Sequence, residues 1–197
     1  MLPAFINDWR VKWNQPNAPF LNVQLPNFMD VDYLPTDSNW ALMREAQLEA
    51  TRLHNTGLAV SIDLGEWNDI HPGNKKPIGD RLALIAQKLV YGEENLVYSG
   101  PTYKSAKIEG NKIILSFENI GSGLIAGNGE ELAHFAIAGA DKEFKWAKAK
   151  INNETIEVWH EDIEVPFYVR YAWADNPAFA NLYNKEGLPA SPFRIDK

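Results

Sequence analysis

The chain contains no cysteine, which removes disulfide bridges, thiolate zinc sites and cysteine nucleophiles together. That absence fits cytoplasm and periplasm equally and does not fix the compartment. Positive charge is scarce: 19 Lys and Arg stand against 26 Asp and Glu, a net charge of -7. With no basic patch to neutralise phosphates, no nucleic-acid partner is expected. Long apolar runs are missing too, so no segment reaches the roughly 20 residues of a membrane-spanning helix. The opening residues, Met1 to Trp9, lack the basic stretch and apolar core of a signal peptide. What is present is an ordinary globular composition, 45% hydrophobic, 23% charged and 12% aromatic over 197 residues. That length suits one generous domain or two small ones, and disorder is excluded as the main state.

Residues 1 to 95 read as helix and strand in turn. Leu2, Phe5, Ile6, Trp9 and Trp13 fall at helical spacing, and Pro16 and Pro19 end that helix. Phe20 to Leu25 is a predicted strand closed by Pro26. Ser38 is placed to cap a helix running through Trp40, Met43, Gln47 and Ala50 toward Leu53. Leu58 to Leu64 is a nearly continuous apolar run, the pattern of a parallel strand buried on both faces. Ile78, Leu82, Ile85, Ala86 and Leu89 then mark a helix ended by Gly92. Such alternation implies a parallel sheet between helix layers.

The pattern changes between Glu94 and Pro101. Ser105 to Glu109 and Lys112 to Phe117 alternate around Gly110-Asn111, a hairpin signal. Short runs follow at Leu132 to Ala138, Phe144 to Ile151, Thr155 to Trp159 and Phe167 to Trp173. These indicate an antiparallel β-sandwich. The expected organisation is an α/β part over 1–96 and an all-β part over 97–197. Two parallel strands do not make an independent, doubly covered sheet. Either the sandwich covers the deficit or further strands lie upstream; the second is the expectation.

Chemistry is most legible in Gly65-Glu66-Trp67-Asn68-Asp69-Ile70-His71-Pro72, directly after the buried strand. Open α/β sheets carry reactive groups in loops at the carboxyl ends of their strands. His71 is a candidate general base, and Asp69 or Glu66 a candidate carboxylate to orient it. The plainer alternative is a loop histidine beside a turn-capping aspartate. His54 sits at a helix end, His134 and His160 in predicted strands, and none has metal-ligand spacing. No serine stands in a Gly-x-Ser-x-Gly elbow, and Gly121-Ser122-Gly123 reads as a flexible loop. The set holds a base and an acid but no nucleophile.

At these residues the sequence resembles the sialate O-acetylesterase family of SGNH (GDSL-like) carbohydrate esterases. The likeness is carried by Pro19-Phe20-Leu21 through Val23-Gln24-Leu25-Pro26-Asn27, by Ser38-Asn39-Trp40-Ala41-Leu42 through Arg44-Glu45-Ala46-Gln47, and by Asn68-Asp69-Ile70-His71-Pro72 through Gly79-Asp80-Arg81-Leu82. Ser99-Gly100-Pro101, Val169-Arg170-Tyr171-Ala172-Trp173, Asn181-Leu182-Tyr183-Asn184 and Glu186 through Arg194 extend it to the end of the chain. The resemblance implies the carboxyl-terminal portion of a three-layer α/β/α hydrolase domain followed by a sandwich. It also implies a cofactor-free serine esterase acting on acetylated sugars such as O-acetyl sialic acid, in a periplasmic or secreted setting. His71 would take the proton of the serine hydroxyl and Asp69 would hold the imidazole. Many members of the superfamily carry the acid three residues before the histidine, where Asn68 stands here. The serine and oxyanion blocks of the family lie upstream of the part that this chain matches, so the amino-terminal part of the same protein is an expected partner and this chain alone is expected to be inactive.

Trp67 and Asn68 beside His71 are candidate sugar contacts. A second reading makes the chain a non-catalytic carbohydrate-binding or interaction module, for which its tryptophans and tyrosines would provide stacking surfaces.

Overall fold

Parallel pairing is confined to the first sixty residues of the computed structural model, which describes residues 1–195. Helix α1 (Leu2–Lys12) ends at Trp13 and presents Ile6 and Arg10 to the interior. Arg10 reaches across to donate to the carbonyls of Ala18 (3.0 Å) and His54 (2.6 Å), tying α1 to the starts of both parallel strands. Strand β1 (Phe20–Val23) pairs with β2 (Thr56–Ala59), Phe20 opposite Thr56 and Val23 opposite Ala59.

Between them lies α2 (Asn39–Glu49), followed by a short 3-10 turn over Ala50–Arg52. Ser38 caps α2 as expected, its Oγ accepting from the Ala41 N–H at 2.9 Å. Helix α3 (Lys76–Leu89) lies over the strand pair. A Cβ on Gly57 would stand 2.2 Å from the Ile85 side chain, so only glycine permits this approach.

Both parallel strands are shorter than the apolar pattern suggests. β1 stops before Leu25 because the Leu25 N–H donates to Gln47 Oε1 (2.9 Å) and its carbonyl accepts from Arg44 Nε (2.9 Å). Pro26 then has no N–H to offer. Beyond Ala59 the chain turns, Leu64 N–H donating to the Ser61 carbonyl, while Ser61 Oγ donates to the Gln24 carbonyl at 2.5 Å.

The rest is antiparallel. β3 (Thr102–Glu109) and β4 (Lys112–Glu118) form the predicted hairpin, with Gly110 at φ 59° in a two-residue turn. β8 (Lys148–Asn152) and β9 (Thr155–Trp159) form a second one, with Asn153 at φ 54°. Left-handed backbone at such turns is the geometry that glycine and asparagine tolerate best. These four strands make one sheet in the order β3-β4-β9-β8.

The other elements are β5 (Leu124–Ala126), β6 (Phe135–Ala138), β7 (Lys145–Trp146), β10 (Tyr168–Tyr171), β11 (Leu182–Asn184) and β12 (Phe193–Arg194). They form a second four-stranded sheet, β12-β10-β6-β7, and the pair β11-β5. Ile113, Leu115 and Phe117 of β4 and Ile156 and Val158 of β9 point inward in strict alternation and meet Phe135, Ile137 and Tyr171. The period of two in the sequence is therefore the packing pattern of the core.

Two sequence expectations are corrected. His134 and His160 stand just outside β6 and β9 rather than within strands. His134 takes φ 60° with its carbonyl on the Ala172 N–H, and His160 Nδ1 accepts from the Asp162 N–H in a turn. The Gly121-Ser122-Gly123 loop is not slack: Glu186 accepts from the Ser122 main-chain N–H at 2.9 Å and from its hydroxyl.

The sandwich also covers part of what the two parallel strands leave bare. Val60 and Ile62, from the segment after β2, belong to the same apolar cluster as the sandwich core, and every residue of β2 is buried. The outer edge of β1 has no neighbouring strand among the described residues.

Candidate functional site

Residues 65 to 74 follow β2 and lead into α3, and buried polar groups fix the start of this loop. At its start, Asn27 Oδ1 accepts from the Gly65 N–H at 2.6 Å, and Asn27 Nδ2 donates to Asn176 Oδ1 at 3.0 Å. Asn176 in turn donates to the Met29 carbonyl at 2.6 Å, and the Met29 N–H donates to the Trp67 carbonyl. A Cβ on Gly65 would fall 1.9 Å from the Asn27 carbonyl oxygen, so the backbones approach to a distance that excludes any side chain.

Asp63 secures the same end. Its carboxylate receives two hydrogen bonds from Arg81 (2.7 and 2.6 Å) and one from the Tyr183 hydroxyl (3.0 Å). Arg81 also donates to the Val60 carbonyl at 2.6 Å. This fork-on-fork geometry is the strong form of the ion pair, and both side chains are largely covered, 10% and 15% exposed. Burial, reinforced by the Asp63 charge, pushes the Tyr183 phenol well above its ordinary range, so it stays a donor.

His71 lies at the exposed tip, its side chain 84% accessible. Asp69 Oδ1 accepts from the His71 main-chain N–H at 2.8 Å, an Asx turn, and stands 3.5 Å from Nδ1 of the ring. That separation is longer than a formed hydrogen bond. Glu66 is engaged elsewhere, accepting from the Gly73 N–H at 2.9 Å. Of the two carboxylates left open by the sequence, Asp69 is thus the one beside the imidazole. Trp67, 63% exposed, and Asn68 are on the solvent face of the same loop.

Ser38, Ser122 and Ser191 are occupied away from this loop. Ser38 Oγ donates to Asp175 Oδ1 at 2.5 Å, Gln24 donates to Ser191 Oγ at 2.8 Å, and Ser122 holds Glu186. Among the described residues no hydrogen bond joins a serine to His71. No group of three or more His, Asp or Glu there has the arrangement of a metal site, and no helix is long and apolar enough to cross a membrane. The cavities of about 460 and 530 Å³ lie off the His71 loop, the first between α2, β2 and β12, the second between residues 125–133 and 178–187.

Sequence reasoning placed His71 and Asp69 but assigned no role to Asn27, Arg44, Asp63, Asn176 or Tyr183. Arg44 is wholly buried and donates to the carbonyls of Leu25, Pro26, Ala174 and Asp175 at 2.6–2.9 Å. Burial lowers its pKa to about 9, against the opposing field of Asp175, so it stays charged at neutral pH. The available signal was a polar residue at an inward helical position, one turn after Ala41.

No family model matches the chain. Among curated proteins it is similar to the sialate O-acetylesterase of Mus musculus, 26% identical over 98% of this chain and 40% of the relative. The Homo sapiens protein of the same name is likewise 26% identical, over 97% of this chain and 41% of the relative. Among solved structures, a carbohydrate acetylesterase from Xanthomonas citri superposes with a TM-score of 0.92 at 44% identity. That match covers 100% of this chain and 45% of the neighbour. The chain therefore spans less than half the length of the proteins it matches. The resemblance read from the sequence segments is borne out along nearly all of its residues.

Proposed function

We infer that this chain, similar from end to end to sialate O-acetylesterases and to a carbohydrate acetylesterase, is the carboxyl-terminal part of an enzyme that removes acetyl groups from sugars. In this reading residues 1–96 complete an SGNH-type α/β/α hydrolase domain and residues 97–197 form its β-sandwich. The observation that carries it is the loop after β2, which holds His71 out to solvent with Asp69 3.5 Å from its ring. A setting outside the cytoplasm accompanies the resemblance.

The chemistry follows the serine-esterase scheme. A serine from the remainder of the polypeptide attacks the acetyl carbonyl while His71 Nε2 takes the hydroxyl proton. His71 returns that proton to the departing sugar oxygen, leaving an acetyl-serine. Water, deprotonated by His71, then releases acetate. Asp69, turned onto Nδ1, holds the ring and stabilises the imidazolium without accepting its proton. Trp67, exposed beside His71, offers a face for a sugar ring, and Asn68 a polar contact. An acid and base without nucleophile and oxyanion donors give little rate, because electrostatic stabilisation is the largest contribution.

The test is acetate release from an O-acetylated sugar. This chain alone is expected to release none. A polypeptide extended upstream is expected to be active and to lose about 10³-fold or more with His71→Ala. Activity of the extended H71A protein near that of the parent removes the assignment. The alternative, a non-catalytic carbohydrate-binding module, is favoured by exposed Trp67. It predicts sugar binding by this chain with no hydrolysis in either form.

A further inference from the structure

We propose that the cavity of about 530 Å³ on the sandwich, between residues 125–133 and 178–187, is a subsite for an uncharged sugar residue of an oligosaccharide substrate. The proposal rests on the reading of this chain as part of a sugar deacetylase and deepens it. The substrate is then a chain of sugars rather than a single one, and the residue it places in this cavity is neutral.

Position is the first observation. None of residues 65–74 lines the cavity, yet two of its walls are tied to the root of that loop. On one side stands the Tyr183 ring, whose hydroxyl donates to Asp63 at 3.0 Å. On the other is Phe179, three residues after Asn176. Asn176 Oδ1 accepts from Asn27 at 3.0 Å, and Asn27 in turn holds the Gly65 N–H at 2.6 Å. Three residues reach at most about 11 Å. The cavity therefore adjoins the loop that carries Trp67 and His71.

Its chemistry is the second. The Phe179 ring is stacked on His134, with centres 6.1 Å apart and planes at 20°, yet the residue is 66% exposed. An aromatic side chain held in this way gives a sugar ring an apolar surface to lie on. Asn128, Glu130 and Glu131 supply polar groups for its hydroxyls. Their backbone is already fixed by buried Asn181. Its Nδ2 donates to Asn128 Oδ1 and to the Glu131 carbonyl, both at 2.9 Å, and its Oδ1 accepts from the Ala133 N–H at 2.9 Å. Asn128 passes the restraint on, donating to Glu130 Oε2 at 3.1 Å. Less ordering is then left to binding. Apolar surface with a few placed polar groups, in a volume of roughly 300–1,000 Å³, is the usual form of a small-molecule site.

Charge selects the occupant. Glu130 and Glu131 line the cavity, and no Lys, Arg or His does. A cleft lined by one sign of charge repels ligands of that sign, so a sialate or uronate residue is disfavoured there. The hydroxyls of a neutral sugar are donors, and carboxylates accept them in charge-assisted hydrogen bonds. A metal ion is not the better occupant, because among the described residues no group of three His, Asp or Glu is arranged to hold one.

The probes are neutral hexasaccharides of β-1,4-linked glucose, xylose and mannose, titrated into this chain by calorimetry, with hexagalacturonate as their charged counterpart. At least one neutral hexasaccharide is expected to bind with a Kd of about 1 mM or tighter, and hexagalacturonate at least tenfold more weakly. Phe179→Ala is expected to weaken the neutral ligand at least tenfold with the circular dichroism unchanged. Glu130→Gln combined with Glu131→Gln, both at exposed positions, is expected to narrow the gap between neutral and charged ligands. No binding of any neutral hexasaccharide overturns the proposal, as does equal binding of hexagalacturonate. A loss confined to Trp67→Ala, with F179A binding like the parent, assigns the sugar to the loop alone and overturns it too. Acetate release by the polypeptide extended upstream is read separately, and an acetylated hexasaccharide is expected to show a lower KM than the acetylated monosaccharide. Binding without hydrolysis keeps the subsite and removes the esterase reading; hydrolysis with no preference for the longer substrate does the reverse.

Discussion

His134 shows how one side chain responds to burial. Its ring lies 5.1 Å from Trp146 and 6.1 Å from Phe179, with Nδ1 buried and unpartnered. Burial lowers its pKa from 6.5 to about 4. Above pH 6.5 both folded and unfolded chains hold it neutral, and it adds no pH dependence. As pH falls from 6.5 toward 4, the unfolded chain takes up the proton and the folded one does not, so stability falls. The expected loss approaches about 3 kcal/mol by pH 4. His134→Asn, which tolerates the φ of 60°, should flatten the unfolding free energy between pH 6.5 and 4 in urea titrations. An unchanged slope in the variant would exclude His134 as its source. His71 is the opposite case in burial, its side chain 84% accessible. His71→Ala should shift the urea midpoint little, within the range of about 0.5 kcal/mol for exposed positions.

Among the elements, α2 shows why a helix with little apolar surface is nonetheless fixed. Its buried residues are Ala41 and Arg44, and Arg44 collects carbonyls from two distant segments, 25–26 and 174–175. Arg44→Met removes the donor while leaving those carbonyls without water, which costs about 3–5 kcal/mol. Denaturant unfolding monitored by far-ultraviolet circular dichroism checks it; a loss below about 1 kcal/mol would mean that the cavity admits water. The elements were largely legible before the structure. Ser38 before α2, Gly92 after α3 and Gly110-Asn111 between β3 and β4 punctuate the chain with local signals, and those element ends follow them. β5, β11 and β12 were not legible, because strands of two or three residues carry too few side chains for a period of two to register. The premature ends of β1 and β2 escaped for another reason: side chains of remote Arg44 and Gln47 take over the main chain after β1, and beyond β2 the chain turns with the Ser61 hydroxyl on the Gln24 carbonyl.

Across the whole molecule, Asp63, Arg81 and Tyr183 join the end of β2, helix α3 and the sandwich strand β11 at the root of the His71 loop. Tyr183→Phe removes a hydrogen bond to a carboxylate and is expected to cost about 1.5–3 kcal/mol. Wild type should unfold in one transition whether followed by tryptophan fluorescence or by circular dichroism. A variant with unchanged midpoint would mean that the two parts are held by apolar contact alone. The candidate site divides along the same line. His71, Asp69, Trp67 and Asn68 are neighbours in sequence, so a loop after an apolar run was enough to gather them. Asn27, Asn176, Asp63 and Tyr183 come from segments up to 149 residues apart, and no local pattern marks such partners. Absence of cysteine, acidic charge, helix caps, hairpin turns and the grouping of His71 with Asp69 in one loop all depend on residue identity and near neighbours, and were therefore settled by the order of amino acids. Which polar side chains share a buried space, and which edge of β1 stays open, depends on distance through space. Those were settled only when the chain had closed on itself.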